Sequence, residues 1–318
     1  MNCYKLLNKI KNSKNVCIIT HIDPDTDALA SAVVLRNFLI KKFKIANVDI
    51  FAEATQIDDY YKPILQDLEI NKKVSNSYDT AIMLDAPNTD RIGKYVELFS
   101  LAKLKFVIDH HATNTYCGDY NIVEFVSSTC EIIYKILSSF KYKFSVKDYE
   151  NIYAGIITDT NNFSVGATDF KTFKIASACV LHIDHKKVYN HYLNNVSLKQ
   201  LKLMSVAINN IKMFENEKVL VSTISQDDAN LLKANFDDYN GIVNYISKTN
   251  TAKIVCLILP KNNSYYVSLR SKDDVDIGSF AKKNNGGGHK CAAAYISEKS
   301  IETITNNVVD YYKSLNIN

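Results

Sequence analysis

Leu104-Lys105-Phe106-Val107-Ile108-Asp109-His110-His111 is the stretch on which the reading of this chain turns. An apolar run with the length and composition of a buried strand stops on three side chains that handle protons or metals. Asp and His are seldom fully buried without a partner, so three in succession are hard to explain as packing. The arrangement then repeats. Val16-Cys17-Ile18-Ile19-Thr20 runs into His21, Asp23, Asp25 and Asp27. Thr80-Ala81-Ile82-Met83-Leu84 runs into Asp85, and Gly155-Ile156-Ile157-Thr158 runs into Asp159. Four apolar runs, each ending in a carboxylate or an imidazole, mark a site.

Between these runs the apolar spacing is helical. Leu29, Ala32, Val33, Arg36 and Leu39 share a face over 28–43, and further helices are expected over 4–10, 91–101, 148–158 and 172–181. The 58–68 segment reads as a helix interrupted by Pro63. Ser128-Thr129-Cys130-Glu131 has the form of a capping box opening a helix through 137. Continuously apolar strands over 16–20, 47–51, 80–84 and 105–108 alternate with these helices. That pattern predicts an α/β fold, a parallel sheet with helices on both faces. Ligands of such sheets sit outside the carboxyl ends of the strands, where the Asp and His residues fall.

The chain has 318 residues, enough for two domains, and its 47% apolar and 23% charged content is that of a soluble globular protein. A net charge of +4 does not by itself announce nucleic acid. Nearly every basic residue is Lys; Arg36, Arg91 and Arg270 are the exceptions, so each is a candidate bidentate phosphate contact. The seven Cys are scattered and never form a Cys-x-x-Cys pair, which argues against a zinc ribbon and a secreted disulfide framework. No apolar run approaches a membrane span, and the expected location is the cytoplasm.

The domains are expected at 1–185 and 217–318, joined by a helical linker over 186–216. His182, His185 and His191, near that junction, lack an accompanying carboxylate or Cys pattern and read as surface. The second domain alternates again, with strands over 218–224, 252–259 and 265–270. Helices are expected over 227–234, 241–248 and 277–283, then the run Asn285-Gly286-Gly287-Gly288-His289 and a final amphipathic helix. Glycines let a backbone approach a ligand, and successive N–H groups can cradle an anion. With His289, Lys290 and Ser268-Leu269-Arg270-Ser271-Lys272 they make a pocket for a terminal phosphate, a carboxylate or a nucleobase.

His21, Asp25, Asp27, Asp85, His110 and Asp159 together supply four carboxylates and two imidazoles. Such a set repels itself unless cations intervene. Six ligands are too many for one ion with open positions and suit two ions sharing a carboxylate. Oxygen and nitrogen donors without thiolates favour Mn²⁺ over Zn²⁺, with Mg²⁺ as the second choice. Two such ions roughly 3.5–4 Å apart assist phosphoryl transfer.

His21-Ile22-Asp23-Pro24-Asp25-Thr26-Asp27, Asp85, Asp109-His110-His111 and Gly155-Ile156-Ile157-Thr158-Asp159-Thr160 resemble the four motifs of the DHH phosphoesterases. Gly286-Gly287-Gly288-His289-Lys290 with Ser268–Lys272 is similar to the smaller α/β substrate-binding domain that accompanies them. The subgroup it most resembles is the nano-RNases, which degrade short oligoribonucleotides and dephosphorylate 3′-phosphoadenosine 5′-phosphate. The resemblance implies one Mn²⁺ on His21, Asp25 and Asp85 and another on Asp27, Asp85, His110 and Asp159. It implies that Asp109 supports the imidazoles and that His111 faces the scissile phosphate. The nucleotide would be gripped by Arg270, Ser268, Lys272, the glycines and His289. Implied partners are short single-stranded oligoribonucleotides and small nucleotides, not duplex DNA or a membrane, in a homodimer. A cyclic di-AMP phosphodiesterase shares every motif, and a non-catalytic nucleotide-binding module is the reading from another class. Asn285 and Asn161 stand where the family usually has Gly, and Ala294 replaces another.

Overall fold

A computed structural model describes residues 3–54, 59–72, 77–164, 167–272 and 275–315. In chain order the first part runs β1 (Asn15–Ile19), α1 (Thr26–Phe43), β2 (Asn47–Phe51), α2 (Lys62–Leu65), β3 (Thr80–Leu84) and α3 (Val96–Leu101). It continues with β4 (Leu104–Asp109), β5 (Tyr120–Val123), α4 (Thr129–Ser139), α5 (Val146–Asp159), α6 (Phe170–Val180) and α7 (His185–Tyr192). The second part is α8 (Leu198–Asn209), β6 (Lys212–Phe214), β7 (Val219–Thr223), α9 (Gln226–Leu231), α10 (Ile242–Ile246) and β8 (Ile254–Lys261). It ends with β9 (Ser264–Ser271), α11 (Ile277–Lys283), β10 (Gly287–His289), β11 (Ala292–Ser297) and α12 (Ile301–Ser314). Two compact units divide at Asn195/Val196.

The sheet of the first unit has the order β2-β1-β3-β4-β5 with every pair parallel. One face carries the larger core, where Ile18, Ile82, Phe106 and Ile108 meet Leu29, Val33, Ile133 and Ile156 of the helices. The other face is closed by Ile92, Phe99 and Ala102 over Cys17, Met83 and Val107. Both faces are therefore buried, which is why the strands read as unbroken apolar runs.

The details depart from the sequence pattern where local geometry is special. Pro63 does not interrupt a helix; it opens α2, where its missing N–H is no loss. The 91–101 segment begins as a 3-10 helix and turns at Gly93, whose φ of 56° separates it from α3. Gly155–Thr158 lies in the last turns of α5, so Asp159 arrives from a helix end and not a strand end. Ser128 caps α4, but Glu131 does not close the box: its Oε2 accepts the hydroxyls of Ser127 and Thr172, both at 2.8 Å.

The stretch expected as a helical linker is shared out. Val188 and Tyr192 of α7 are buried in the first unit's core, and Leu203 and Ala207 of α8 in the second's. The second unit holds a six-stranded sheet, β10-β11-β9-β8-β7-β6, in which only β7–β8 is parallel. The glycine run is not a loop: residues 287–289 form the edge strand β10.

Candidate metal centre

The end of β1 turns into α1 through Asp25. Its Oδ1 caps the helix by accepting the Ala28 N–H at 2.9 Å, and its Oδ2 lies 3.8 Å from His21 Nε2. Capping and facing the site are thus two oxygens of one side chain. Asp27, in the first turn of α1 and 1% exposed, has its carboxylate fixed by the first turn of α4. Oδ2 accepts the Thr129 N–H at 2.6 Å and Oδ1 the Cys130 N–H at 2.9 Å. A helix N-terminus holding a carboxylate is favourable electrostatics, and it locks the orientation. Above it sits Gly155 of α5: a Cβ there would stand 2.6 Å from Asp27 Oδ1 and 2.4 Å from Cys130 Sγ.

Asp85 leaves β3 in the left-handed region, φ 55°, a conformation that costs a non-glycine residue energy. It is 2% exposed, and its Oδ1 accepts the Thr129 hydroxyl at 2.7 Å. His21 Nε2 lies 3.9 Å from Asp85 Oδ2, and His110 Nε2 lies 3.5 Å from both Asp85 Oδ1 and Asp159 Oδ2. Both imidazoles turn Nδ1 away onto backbone carbonyls, His21 to Ile22 at 2.8 Å and His110 to Val126 at 3.1 Å. That contact holds a proton on Nδ1 and aims Nε2 at the carboxylates, the orientation that metal-ligating histidines require.

The donors converge in three overlapping groups: His21, Asp25 and Asp85; Asp27, His110 and Asp159; and Asp85, His110 and His111. Within each group the ligand atoms lie within 4.8 Å of one another. Among the described residues, the ion pairs reaching Asp25, Asp85 and Asp159 come from His21 and His110 alone, with no Lys or Arg. Burying a carboxylate costs several kcal/mol without compensation, so the donor set fits divalent cations.

Protons stand in for those cations in the bare chain. Burial lowers the basicity of His21, but Asp25 and Asp85 outweigh it and lift its pKa to about 9. For His110 burial is likewise overcome, by Asp85, Asp27 and Asp159, and the value is again about 9. Burial raises Asp159 to about 7 and pushes Asp27 well above the ordinary carboxylate range, Asp85 and Asp159 adding repulsion to the latter.

His111 is tied differently. Its Nδ1 meets Asp109 Oδ1 at 2.7 Å, and Asp109, wholly buried, accepts Asn114 Nδ2 at 2.7 Å on its other oxygen. Burial opposes the ionised Asp109, but His111 and Asn114 prevail and hold its pKa below the ordinary value. This is an Asn–Asp–His relay that leaves Nε2 of His111 unconstrained by the carboxylate. Asn114 and Thr129 went unnoticed in the sequence; the short loop after the Asp-His-His triplet and the residue next to the Ser128 cap were the available signals.

In the second unit, β-register places Arg270 beside Ala292 and Ser268 beside Ala294, with Ala294 opposite Gly287 and Ala292 opposite His289. Arg270 donates Nε to Asn244 Oδ1 of α10 at 2.7 Å and Nη1 to the Leu269 carbonyl at 2.8 Å, which fixes the guanidinium plane. Asn244 is a third residue that the pattern did not reveal. Lys272 is turned aside: its ammonium donates to the Thr249 carbonyl. The His289 side chain lies outside the described residues. Gly286 and Gly288 are glycine for packing, since a Cβ would meet the Ala294 and Ala292 carbonyl oxygens at 2.2 and 2.4 Å, whereas one on Gly287 would meet nothing within 4 Å.

Buried carboxylates and imidazole Nε2 atoms beyond the carboxyl ends of a parallel sheet define a metal-dependent hydrolase. Residues 15–158 match the DHH family, N-terminal domain, and residues 216–314 match the DHHA1 domain. The chain belongs to the DHH family and is a phosphoesterase. A protein of Streptococcus mutans serotype c named probable bifunctional oligoribonuclease and PAP phosphatase NrnA is 30% identical over 301 residues, 92% of this chain and 93% of the relative. An exopolyphosphatase-related protein from Bacteroides fragilis shares the fold with a TM-score of 0.89 at 21% identity, covering 98% of this chain and 96% of that one. RecJ from Thermus thermophilus, solved in complex with Mn²⁺, has a TM-score of 0.56 at 13% identity, over 97% of this chain and 54% of RecJ. Among the described residues no helix is long and apolar enough to cross a membrane.

Proposed function

We propose that the chain is a Mn²⁺-dependent phosphoesterase that degrades short oligoribonucleotides to nucleoside monophosphates and dephosphorylates 3′-phosphoadenosine 5′-phosphate to AMP. The observation that carries the reading is the convergence of three donor groups, the outer two linked to the third through Asp85 and through His110. The name of the S. mutans relative supports the substrates. Oxygen and nitrogen donors without thiolate, and the Mn²⁺ in the RecJ structure, support the metal.

On this reading His21, Asp25 and Asp85 hold one ion, and Asp27, Asp85, His110 and Asp159 the other. When bound, the ions supply Lewis acidity and acidify a water that attacks phosphorus. His111 gives a proton from Nε2 to the leaving oxygen, Asp109 keeps its ring oriented, and Asn114 holds Asp109. Thr129 orients the oxygen of Asp85 that faces His110. Arg270, Ser268, Gly286, Gly287, Gly288 and His289 grip the nucleotide, Lys272 joining them only on release from the Thr249 carbonyl, and a homodimer is part of the same reading. Unpaired Cys17, Cys130, Cys179 and Cys256, all buried, suit a reducing compartment such as the cytoplasm.

The test is a parallel turnover comparison with Mn²⁺ of a dinucleotide, a pentanucleotide, 3′-phosphoadenosine 5′-phosphate and cyclic di-AMP. The expected result is release of mononucleotides from the first two and phosphate from the third. Far faster turnover of cyclic di-AMP contradicts the substrate assignment, and no turnover of any contradicts catalysis.

A further inference from the structure

Exposed aromatic side chains gather at one edge of the first unit without serving its core. Phe125 is 76% exposed, Phe170 71% and Phe173 53%. Scattered exposed apolar residues need no explanation, but Phe170 and Phe173 lie one turn apart on α6. Phe173 stacks on half-buried Phe163 with ring centroids 5.0 Å apart and planes at 24°. Buried Thr172, between Phe170 and Phe173, reaches Ser127 Oγ at 3.3 Å, two residues from Phe125, and Glu131 Oε2 at 2.8 Å. The first turn of α6 is thereby pinned to the first turn of α4.

That turn of α4 is the one whose Thr129 and Cys130 hold Asp27 and Asp85. Phe163 follows Asp159 by four residues, its N–H bonded to Thr160 Oγ1 at 2.9 Å. Phe125 immediately precedes Val126, whose carbonyl fixes His110. Each aromatic therefore belongs to a segment that also anchors the metal centre. The sequence Phe170-Lys171-Thr172-Phe173-Lys174 interleaves the rings with lysines, and Lys171 and Lys174 are both exposed. Asp169, just before them, is engaged in capping α6 through the Lys171 and Thr172 N–H groups.

We infer that Phe163, Phe173, Phe170 and Phe125, with Lys171 and Lys174, form a landing surface for single-stranded RNA, on which bases beyond the scissile phosphate stack while the lysines meet the backbone. The inference rests on the oligoribonucleotide half of the proposed function and extends it to substrate length. Continuity with the phosphoester site and the aromatic–basic alternation select this occupant: every base has a face that can stack, and every nucleotide brings one phosphate. A mononucleotide-sized substrate does not reach the surface, whereas a pentanucleotide does.

The full chain with Mn²⁺ and its Phe170→Ala/Phe173→Ala variant are compared on a pentaribonucleotide and on 3′-phosphoadenosine 5′-phosphate. The expected result is a pentanucleotide KM raised about 10-fold or more, one lost stack being worth roughly 5- to 150-fold. Parameters for the small substrate stay within about twofold. A pentanucleotide KM changed less than twofold overturns the surface and leaves the proposed function standing. Wild-type chain that dephosphorylates the small substrate but leaves the pentanucleotide intact overturns the oligoribonuclease reading, and the surface with it. A variant that goes from dimer to monomer in sedimentation with pentanucleotide KM unchanged assigns the aromatics to a second copy and overturns the inference. Lys171→Gln/Lys174→Gln gives an independent reading: losing two phosphate contacts lowers the salt slope of pentanucleotide binding by about 1.4, and an unchanged slope contradicts the lysines' role.

Discussion

Gly155 and Gly287 show how differently the two units are built. Gly155 is pressed between Cys130 and Asp27, and its missing Cβ is what lets α5 close over a buried carboxylate. Gly287 faces open space on an edge strand. The first unit organises chemistry by burial: carboxylates are forced together until a cation is the natural complement. The second organises it by omission, with Gly287, Ala292 and Ala294 leaving a surface of small residues beside a fixed guanidinium. Damage to the first should abolish turnover, whereas damage to the second should raise KM.

The largest expected effect comes from Asp85→Asn, which removes a charge shared by both proposed ions. Turnover should fall by at least about 10³-fold, and a loss below tenfold breaks the contrast. His111→Ala should cost about 10²–10⁴-fold in kcat, the usual range for a positioned acid, with Mn²⁺ affinity kept. Asn114→Ala acts through Asp109 and should cost about 10–100-fold in kcat, with Mn²⁺ affinity kept.

The two glycines give the sharpest matched pair. Gly155→Ala should destabilise the chain by roughly 1–3 kcal/mol through overpacking and weaken Mn²⁺ binding. Gly287→Ala should leave the melting temperature in place and act on nucleotide KM alone. Equal melting temperatures for both variants contradict the close approach at Asp27.

Metal affinity should depend on pH in one direction. His21 and His110 are lifted to about 9 and Asp159 to about 7 in the bare chain, so on the proposed reading a cation that binds there displaces protons. A raised pKa means stronger proton competition at low pH. Apparent Mn²⁺ affinity should therefore climb from pH 6 to 9, with proton release visible as a dependence of calorimetric heat on buffer ionisation enthalpy. Flat affinity across that range contradicts these residues as the ligands. The smallest effect is Asn244→Ala, which frees the Arg270 guanidinium from its exposed partner on α10 and should raise nucleotide KM by about tenfold, the low end of the roughly 1.5–3 kcal/mol of a charged hydrogen bond, with kcat unchanged.

The sequence made the first unit readable because burial leaves a strong imprint. β1, β3 and β4 are covered on both faces and read as apolar runs, and side chains at their ends stand out by contrast. β5, half-exposed along Tyr120–Val123, leaves no such imprint. β10 and β11 were hidden by composition: glycine and alanine have little strand propensity, and only the neighbouring carbonyls explain why 286 and 288 lack a side chain. The Asn substitutions at two family Gly positions also have a backbone account. Asn285 has φ 61° and Asn161 φ 45°, the left-handed region that Asn tolerates better than other side chains. Asn114, Thr129 and Asn244 act through contacts with residues up to 102 positions away, which no local pattern carries.

On the proposed reading the converging donors complete a two-cation site. Equilibrium dialysis of chelator-stripped chain against Mn²⁺, followed by elemental analysis, counts the ions. Two per chain are expected for the wild type and at most one for Asp85→Asn. Fewer than two in the wild type, or two in both, contradicts it.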